Sequence, residues 1–169
     1  MNMKRERLLE VLKEMLKSSR FSDREMARRI GVSQPTITRA RNELEKQGYI
    51  KSYTVIPDFS RMGYQILAFT FIKMRSYPSV EEAQKIVKVA SEWVGKHHNV
   101  IFTADGEGLG GKDIVMISLH KDYPRYSDFI RSYALEWGQV VSDFESFLVS
   151  LGAGYKFKPL DLKYLAFDE

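Results

Sequence analysis

Phe21-Ser22-Asp23-Arg24-Glu25-Met26-Ala27-Arg28-Arg29-Ile30-Gly31-Val32-Ser33-Gln34-Pro35-Thr36-Ile37-Thr38-Arg39-Ala40-Arg41-Asn42-Glu43-Leu44-Glu45-Lys46-Gln47-Gly48 reads as two short helices with a glycine between them. Ser22 with Glu25 three residues on is a capping-box pattern. It opens a helix over Asp23 to Ile30 that buries Met26, Ala27 and Ile30. Gly31 allows the positive φ that a sharp turn needs. Ser33 then caps a second helix, with Pro35 in its first turn, where a missing N–H costs nothing. That helix runs to about Gln47, where Gly48 ends it, and turns Ile37, Ala40 and Leu44 inward. Helix, glycine turn, helix is the helix-turn-helix pattern.

Upstream, Arg5 to Ser18 forms a further helix, with Leu8, Leu12 and Met15 at helical spacing and Leu9 and Leu16 widening the stripe. The first sixteen residues are charged throughout and do not read as a signal peptide. Downstream, Tyr49 to Ile56 is rich in β-formers and predicts one or two short strands, which would make the motif winged. Residues 57–63 (Pro57 to Gly63) form a turn-rich linker. Then come a strand over Tyr64 to Met74 and a helix over Ser79 to Lys96, marked by Val80, Ala83, Val87, Ala90 and Val94. A strand over Val100 to Asp105, a glycine-rich loop and a strand over Ile114 to Leu119 follow. Tyr126, Phe129, Ile130, Tyr133 and Trp137 mark another helix, and Val140 to Val149 a last strand. The order is βαββαβ, a ferredoxin-like unit. The expected fold is therefore α+β: a winged helix-turn-helix domain over 1–56, the linker, a ferredoxin-like domain over 64–151, and a tail over 152–169 that adds a strand.

Composition narrows the function. The 169 residues include no Cys, which excludes disulfides, thiolate metal sites and a Cys nucleophile. No run of 18 apolar residues exists, so no membrane span is expected, and the expected location is the cytoplasm. The net charge of +4 is uneven: residues 1–75 carry sixteen Lys and Arg against eight Asp and Glu, the remainder ten against fourteen. A basic N-terminal part fits a polyanionic partner.

Double-stranded DNA is that expected partner. Ser33, Gln34, Thr36, Thr38, Arg39 and Asn42 lie off the apolar stripe of the second helix and offer donors and acceptors to base edges. Arg28, Arg29, Lys46, Lys51 and Tyr53 are placed for phosphates. The plainer alternative is the wet face of an ordinary helix, or a protein-docking module. Arg41 sits four residues after Ile37, at the seam; its stem either snorkels outward or reaches a phosphate.

The loop Gly106-Glu107-Gly108-Leu109-Gly110-Gly111-Lys112-Asp113 imitates two nucleotide-binding patterns. A strand follows rather than a helix, and Asp113 stands where Ser or Thr would bind Mg²⁺, so no nucleotide is expected. Its glycines expose backbone N–H groups, and Gly106, Gly108, Gly110, Gly111 and Asp113 are the candidate site for a small carboxylate-bearing effector. His97, His98 and His120 are not spaced as a metal site, and His97-His98 suits a helix end. No metal, cofactor or catalytic residue is expected.

In the first strand of the second domain both faces are apolar: Ile66, Ala68, Ile72 and Met74 on one, Leu67, Phe69 and Phe71 on the other. The last strand repeats this, with Val141, Phe147 and Val149 on one side and Val140, Phe144 and Leu148 on the other. Helices cover one sheet face; a second copy of the sheet is the expected cover for the other, giving a homodimer. The alternative cover is the tail.

These features resemble the Lrp/AsnC (feast/famine) regulators. Ala27, Gly31, Val32, Ser33, Ile37, Leu44, Glu45, Gly48 and Ile50 stand where that family's helix-turn-helix expects such types, and Met62-Gly63-Tyr64 is similar to its domain junction. The resemblance implies a transcription regulator with a RAM-type effector domain, dimers that assemble into octamers, and an amino-acid effector. It makes Gly106 and Asp113 the ends of the family's Gly-x-x-Asp turn, lengthened here. Two alternatives share the layout: a sirohaem-decarboxylase-like enzyme using His97, His98 and His120, and an architectural DNA-binding protein.

Overall fold

The computed structural model describes residues 3–75, 79–108, 110–152 and 158–167. It divides into two compact units. The first holds α1 (Met3–Lys17), α2 (Asp23–Ile30), α3 (Gln34–Lys46) and a C-terminal 3-10 helix (Leu162–Phe167). The second holds β1 (Ile66–Met74), α4 (Val80–Lys96), β2 (Val100–Asp105), β3 (Ile114–His120), α5 (Tyr123–Trp137) and β4 (Val141–Ser150). The α+β class and the βαββαβ order stand as predicted.

In the first unit three amphipathic helices bury one apolar cluster: Leu8, Val11 and Met15 from α1, Met26 and Ala27 from α2, Ile37, Ala40 and Leu44 from α3. Val11, fully buried, lies at the centre of the α1 face, between Leu8 and Met15. The Ser22 hydroxyl accepts the Glu25 N–H at 3.2 Å, the cap the sequence predicts, worth about 1 kcal/mol. Gly31 adopts φ 79°, and Gly31 and Val32 both donate to the Ala27 carbonyl, which closes α2. A side chain at that φ would strain against its own backbone.

Two expectations fail in this unit. Residues 49–56 form no strand. β-prone residues need a partner strand to satisfy their backbone groups, and among the described residues this unit offers none. Tyr53 and Val55 remain exposed while Ile50 packs back on the helical core. Among its described residues the tail adds no strand either. Asp161 Oδ1 accepts the Lys163 N–H at 2.9 Å, starting a tight turn, and the 3-10 helix packs on α1 with Ala166 buried. Residues 153–157 of the tail lie outside the described residues.

The second unit is a four-stranded antiparallel sheet, order β2-β3-β1-β4, with both helices on one face. That face brings Ile72, Met116 and Val141 against Trp93 of α4 and Tyr133 and Trp137 of α5. Thr70 pairs with Ser146 at 2.9 Å, and Ser118 with His120 Nε2 at 2.9 Å. The register shifts between Lys73 and Met74, so that β4 takes an extra residue at Ser142, whose hydroxyl donates to the Lys73 carbonyl at 3.0 Å. This bulge moves Val141 onto the helix-covered face with Phe144, correcting the alternation that placed it with Phe147. On α4, Val80 and Val87 are 75% and 64% exposed; the inward stripe is Ile86, Ala90, Trp93 and Val94.

Candidate nucleic-acid interface

α3 is the element that carries the predicted base-reading set. Steps of about 100° per residue place Arg39, Asn42 and Lys46 opposite the buried Ile37, Ala40 and Leu44. Ser33, Gln34, Thr36, Thr38, Arg39 and Asn42 are all exposed. They are not equally free. The Ser33 hydroxyl occupies the N-cap position of α3 but makes no cap bond; it pairs with Thr36 Oγ1 at 2.8 Å. Thr38 Oγ1 donates to Asp23 Oδ2 at 2.6 Å, across to α2. Gln34, Arg39 and Asn42 have no side-chain partner among the described residues.

The phosphate set divides in the same way. Arg28, Arg29, Lys46, Lys51 and Tyr53 are exposed. Arg29 reaches Glu25 Oε1 at 3.3 Å and lies 4.1 Å over the Phe21 ring. The Tyr53 hydroxyl donates to Glu45 Oε1 at 2.6 Å, so its proton is already committed. Burial and that carboxylate push the phenol pKa up. Arg28, Lys46 and Lys51 keep unengaged charges among the described residues.

Arg41 does neither of the two things expected of it. Its guanidinium folds inward onto Asp23 Oδ1, with Nε at 3.1 Å and Nη2 at 2.9 Å, and Nη2 also reaches the Phe21 carbonyl at 3.4 Å. Burial works against its charge, but hydrogen bonds with Tyr53 and Asp23 outweigh that, and its pKa is raised. Asp23, Thr38, Arg41, Tyr53 and Glu45 thus form one network that fixes α3 on the start of α2. The sequence signal was an arginine at a seam position with an aspartate at the first turn of the preceding helix.

The glycine loop uses much of its own hydrogen-bonding capacity. Gly106 N–H donates to the Asp113 carbonyl, and Gly111 and Lys112 N–H donate to Gly108. Gly108, Gly110 and Gly111 hold φ of 124°, 71° and 75°. Asp113 Oδ2 accepts the Met74 N–H at 2.7 Å. Lys112 turns inward to Asp143, with Glu145 at 3.6 Å, which raises the lysine pKa and lowers that of Asp143. Leu109 lies outside the described residues.

His97 and His120 are engaged separately, and His98 is exposed. His97 caps α4, with Nδ1 2.7 Å from the Trp93 carbonyl and its ring stacked on Trp93. His120 is buried beside Tyr126 and Phe129, and burial lowers its pKa. Among the described residues no cluster of metal-ligating side chains occurs, and no helix is long and apolar enough to cross a membrane.

Residues 4–51 match the family model for winged helix-turn-helix DNA-binding. The regulator PH1055 of Pyrococcus horikoshii, an uncharacterized HTH-type transcriptional regulator, is 30% identical over 110 residues, covering 62% of this chain and 67% of that one. The leucine-responsive regulatory protein of Rhizobium meliloti is 30% identical over 67 residues, 40% of this chain and 43% of that one. The chain belongs to the Lrp/AsnC family. Among solved Lrp/AsnC-like structures, the Agrobacterium tumefaciens AsnC family regulator superposes with a TM-score of 0.72 at 19% identity, covering 98% of this chain and 99% of that one. The Neisseria meningitidis regulator NMB0573, solved as a complex with L-Met, gives 0.73 at 18% identity, covering 98% and 99%. At those identities the likeness shows the fold. The chain matches just under two thirds of the length of two further curated relatives, 66% for one from Pyrococcus abyssi and 64% for one from Pyrococcus furiosus.

Proposed function

We propose that this chain is a sequence-specific DNA-binding transcription regulator of the Lrp/AsnC type, acting in the cytoplasm as a homodimer and answering to a small molecule. The observation that carries the reading is the outward side of α3, where Gln34, Arg39 and Asn42 are exposed and unengaged beside the free charges of Arg28, Lys46 and Lys51. Arg suits guanine edges and Gln or Asn adenine edges; the lysines suit phosphates. The reading is of a binding protein rather than an enzyme, since His97 and His120 are each taken up by an intramolecular partner.

Selection of sites from a random duplex library at near-physiological salt tests it. A pseudo-palindrome with half-sites about one helical turn apart is the expected product. Arg39→Ala should then weaken binding by roughly 1–3 kcal/mol and relax preference at one base position. Lys51→Ala should weaken binding evenly on every sequence and lower the salt slope by about one. Retention with no enriched motif, or equal loss on all sequences for both variants, would identify backbone binding only.

The homodimer rests on the sheet face away from the helices. Leu67, Phe69, Phe71, Val115, Ile117 and Phe147 share it, and Phe102 and Phe147 are 50% and 67% exposed. An exposed apolar patch of this kind marks an interaction surface. An isologous contact presents Phe147 twice, so Phe147→Asp removes two buried rings, about 4 kcal/mol or a thousandfold in dimer affinity. Sedimentation should show a monomer with an unchanged far-ultraviolet spectrum; a dimer of wild-type affinity would place the interface elsewhere.

A further inference from the structure

We propose that the second unit binds a small aromatic carboxylate in a cleft within its own helix–sheet layer. A space of about 600 Å³ lies between α4, α5 and the sheet, lined by Ile86, Ala90, Trp93, Met116, Tyr133 and Trp137. Folded interiors leave few voids larger than a water molecule, whereas ligand pockets occupy roughly 300–1,000 Å³. The opening has a local cause. α4 turns the small Ala90 toward the sheet and sends Val89 into solvent, while Val87 stands half-open at the rim.

The walls favour an aromatic guest. The Trp93 ring meets Tyr133 edge-on at 5.5 Å and Trp137 at 6.1 Å and 89°, the geometry in which aromatic rings attract beyond their buried area. The polar groups favour a carboxylate at one end. Trp137 Nε1 is buried and has no acceptor among the described residues. Arg75, exposed at the rim, makes only a long 3.5 Å contact with the carbonyl of Gly138, the residue next to Trp137. Trp137 and Arg75 both line the cleft, and at its rim a carboxylate supplies the acceptor that the Arg75 guanidinium lacks. The lining carries two cations, Arg75 and Lys73, and two carboxylates, Asp105 and Asp113, of which Asp113 accepts the Met74 N–H. The site differs from the glycine loop, whose Gly106 and Gly111 amides are already bonded, and it stands whether or not the chain binds DNA.

The chain has two tryptophans, and both line this cleft, so its entire tryptophan emission reports on occupancy. The full-length protein is titrated with 3-phenylpropionate, 3-phenylpropanol and 3-phenylpropylamine. The acid should give a saturable change in emission at the lowest concentration and the amine at the highest. Arg75→Ala should weaken the acid about tenfold, the loss of one charged hydrogen bond at a wet rim, and leave the alcohol unchanged. Ala90→Phe should fill the cleft and abolish the response while circular dichroism stays native. No saturable response to any of the three, or an amine that binds as tightly as the acid, overturns the proposal. So does unaltered binding by a folded Ala90→Phe protein. Should that variant not fold, exposed Arg75 still decides the matter, since equal acid affinity in Arg75→Ala also overturns it.

Discussion

Ile37→Ala is expected to unfold the helix-turn-helix unit while the sheet unit stays folded. Ile37 is fully buried at the centre of a cluster that includes Val11, Met26 and Leu44. Truncating a buried isoleucine to alanine costs about 2–5 kcal/mol, transfer and cavity terms together. A unit of this size has a total stability of only roughly 3–9 kcal/mol. One substitution therefore removes a large share of it. Two probes separate the outcome, because Trp93 and Trp137 both belong to the second unit. On heating, the far-ultraviolet helical signal should fall early while tryptophan emission holds until the wild-type transition. Ile37→Val should shift the early step by about 0.5–1.5 kcal/mol. Coincident loss of both signals would show that the two units unfold together.

Asp23→Ala is expected to be nearly as damaging, through polar groups rather than packing. The Asp23 carboxylate accepts from Thr38 at 2.6 Å and from Arg41 Nη2 and Nε at 2.9 and 3.1 Å. The Arg41 side chain is only 20% exposed, so removing its partner leaves a poorly solvated charge. A charged hydrogen-bond set in that setting is worth about 2–3 kcal/mol. The double substitution Asp23→Ala with Arg41→Met should cost less than the sum of the two singles, because it removes the orphaned charge as well. Chemical denaturation of the four proteins measures the coupling; additive losses would mean that the pair does not act as one. Since the network also holds α3 against α2, Asp23→Ala should weaken DNA binding beyond the fraction unfolded.

Much of this architecture was legible because short-range chemistry decides it. Ser22 caps α2, Gly31 closes it, and both act through atoms a few residues away. The alternation of Ile66, Ala68, Thr70 and Ile72 against Leu67, Phe69 and Phe71 follows from the pleat alone, and the sheet keeps it in register with β3 and β4. The exposed set of α3 followed from helical periodicity once Ile37, Ala40 and Leu44 were assigned inward. Which members of that set are free did not. Thr38 and Tyr53 look like DNA contacts in the sequence, yet each spends its hydroxyl on a carboxylate, Asp23 in one case and Glu45 in the other.

The amino-acid sequence by itself determined the helices, the order of elements along the chain, the two-sided apolar sheet and the outward polar face of α3, since periodicity and capping act within a few residues. The tertiary structure alone decided what depends on distant partners. Tyr49 to Ile56 finds no neighbouring strand and stays unpaired, whatever its β propensity. The tail meets α1 and turns into a 3-10 helix. Arg41 meets Asp23, eighteen residues back, and becomes a tie between helices. A one-residue bulge at Ser142 reassigns Val141 to the helix-covered face. In each case local preference allows several states, and a contact made across the fold selects one of them.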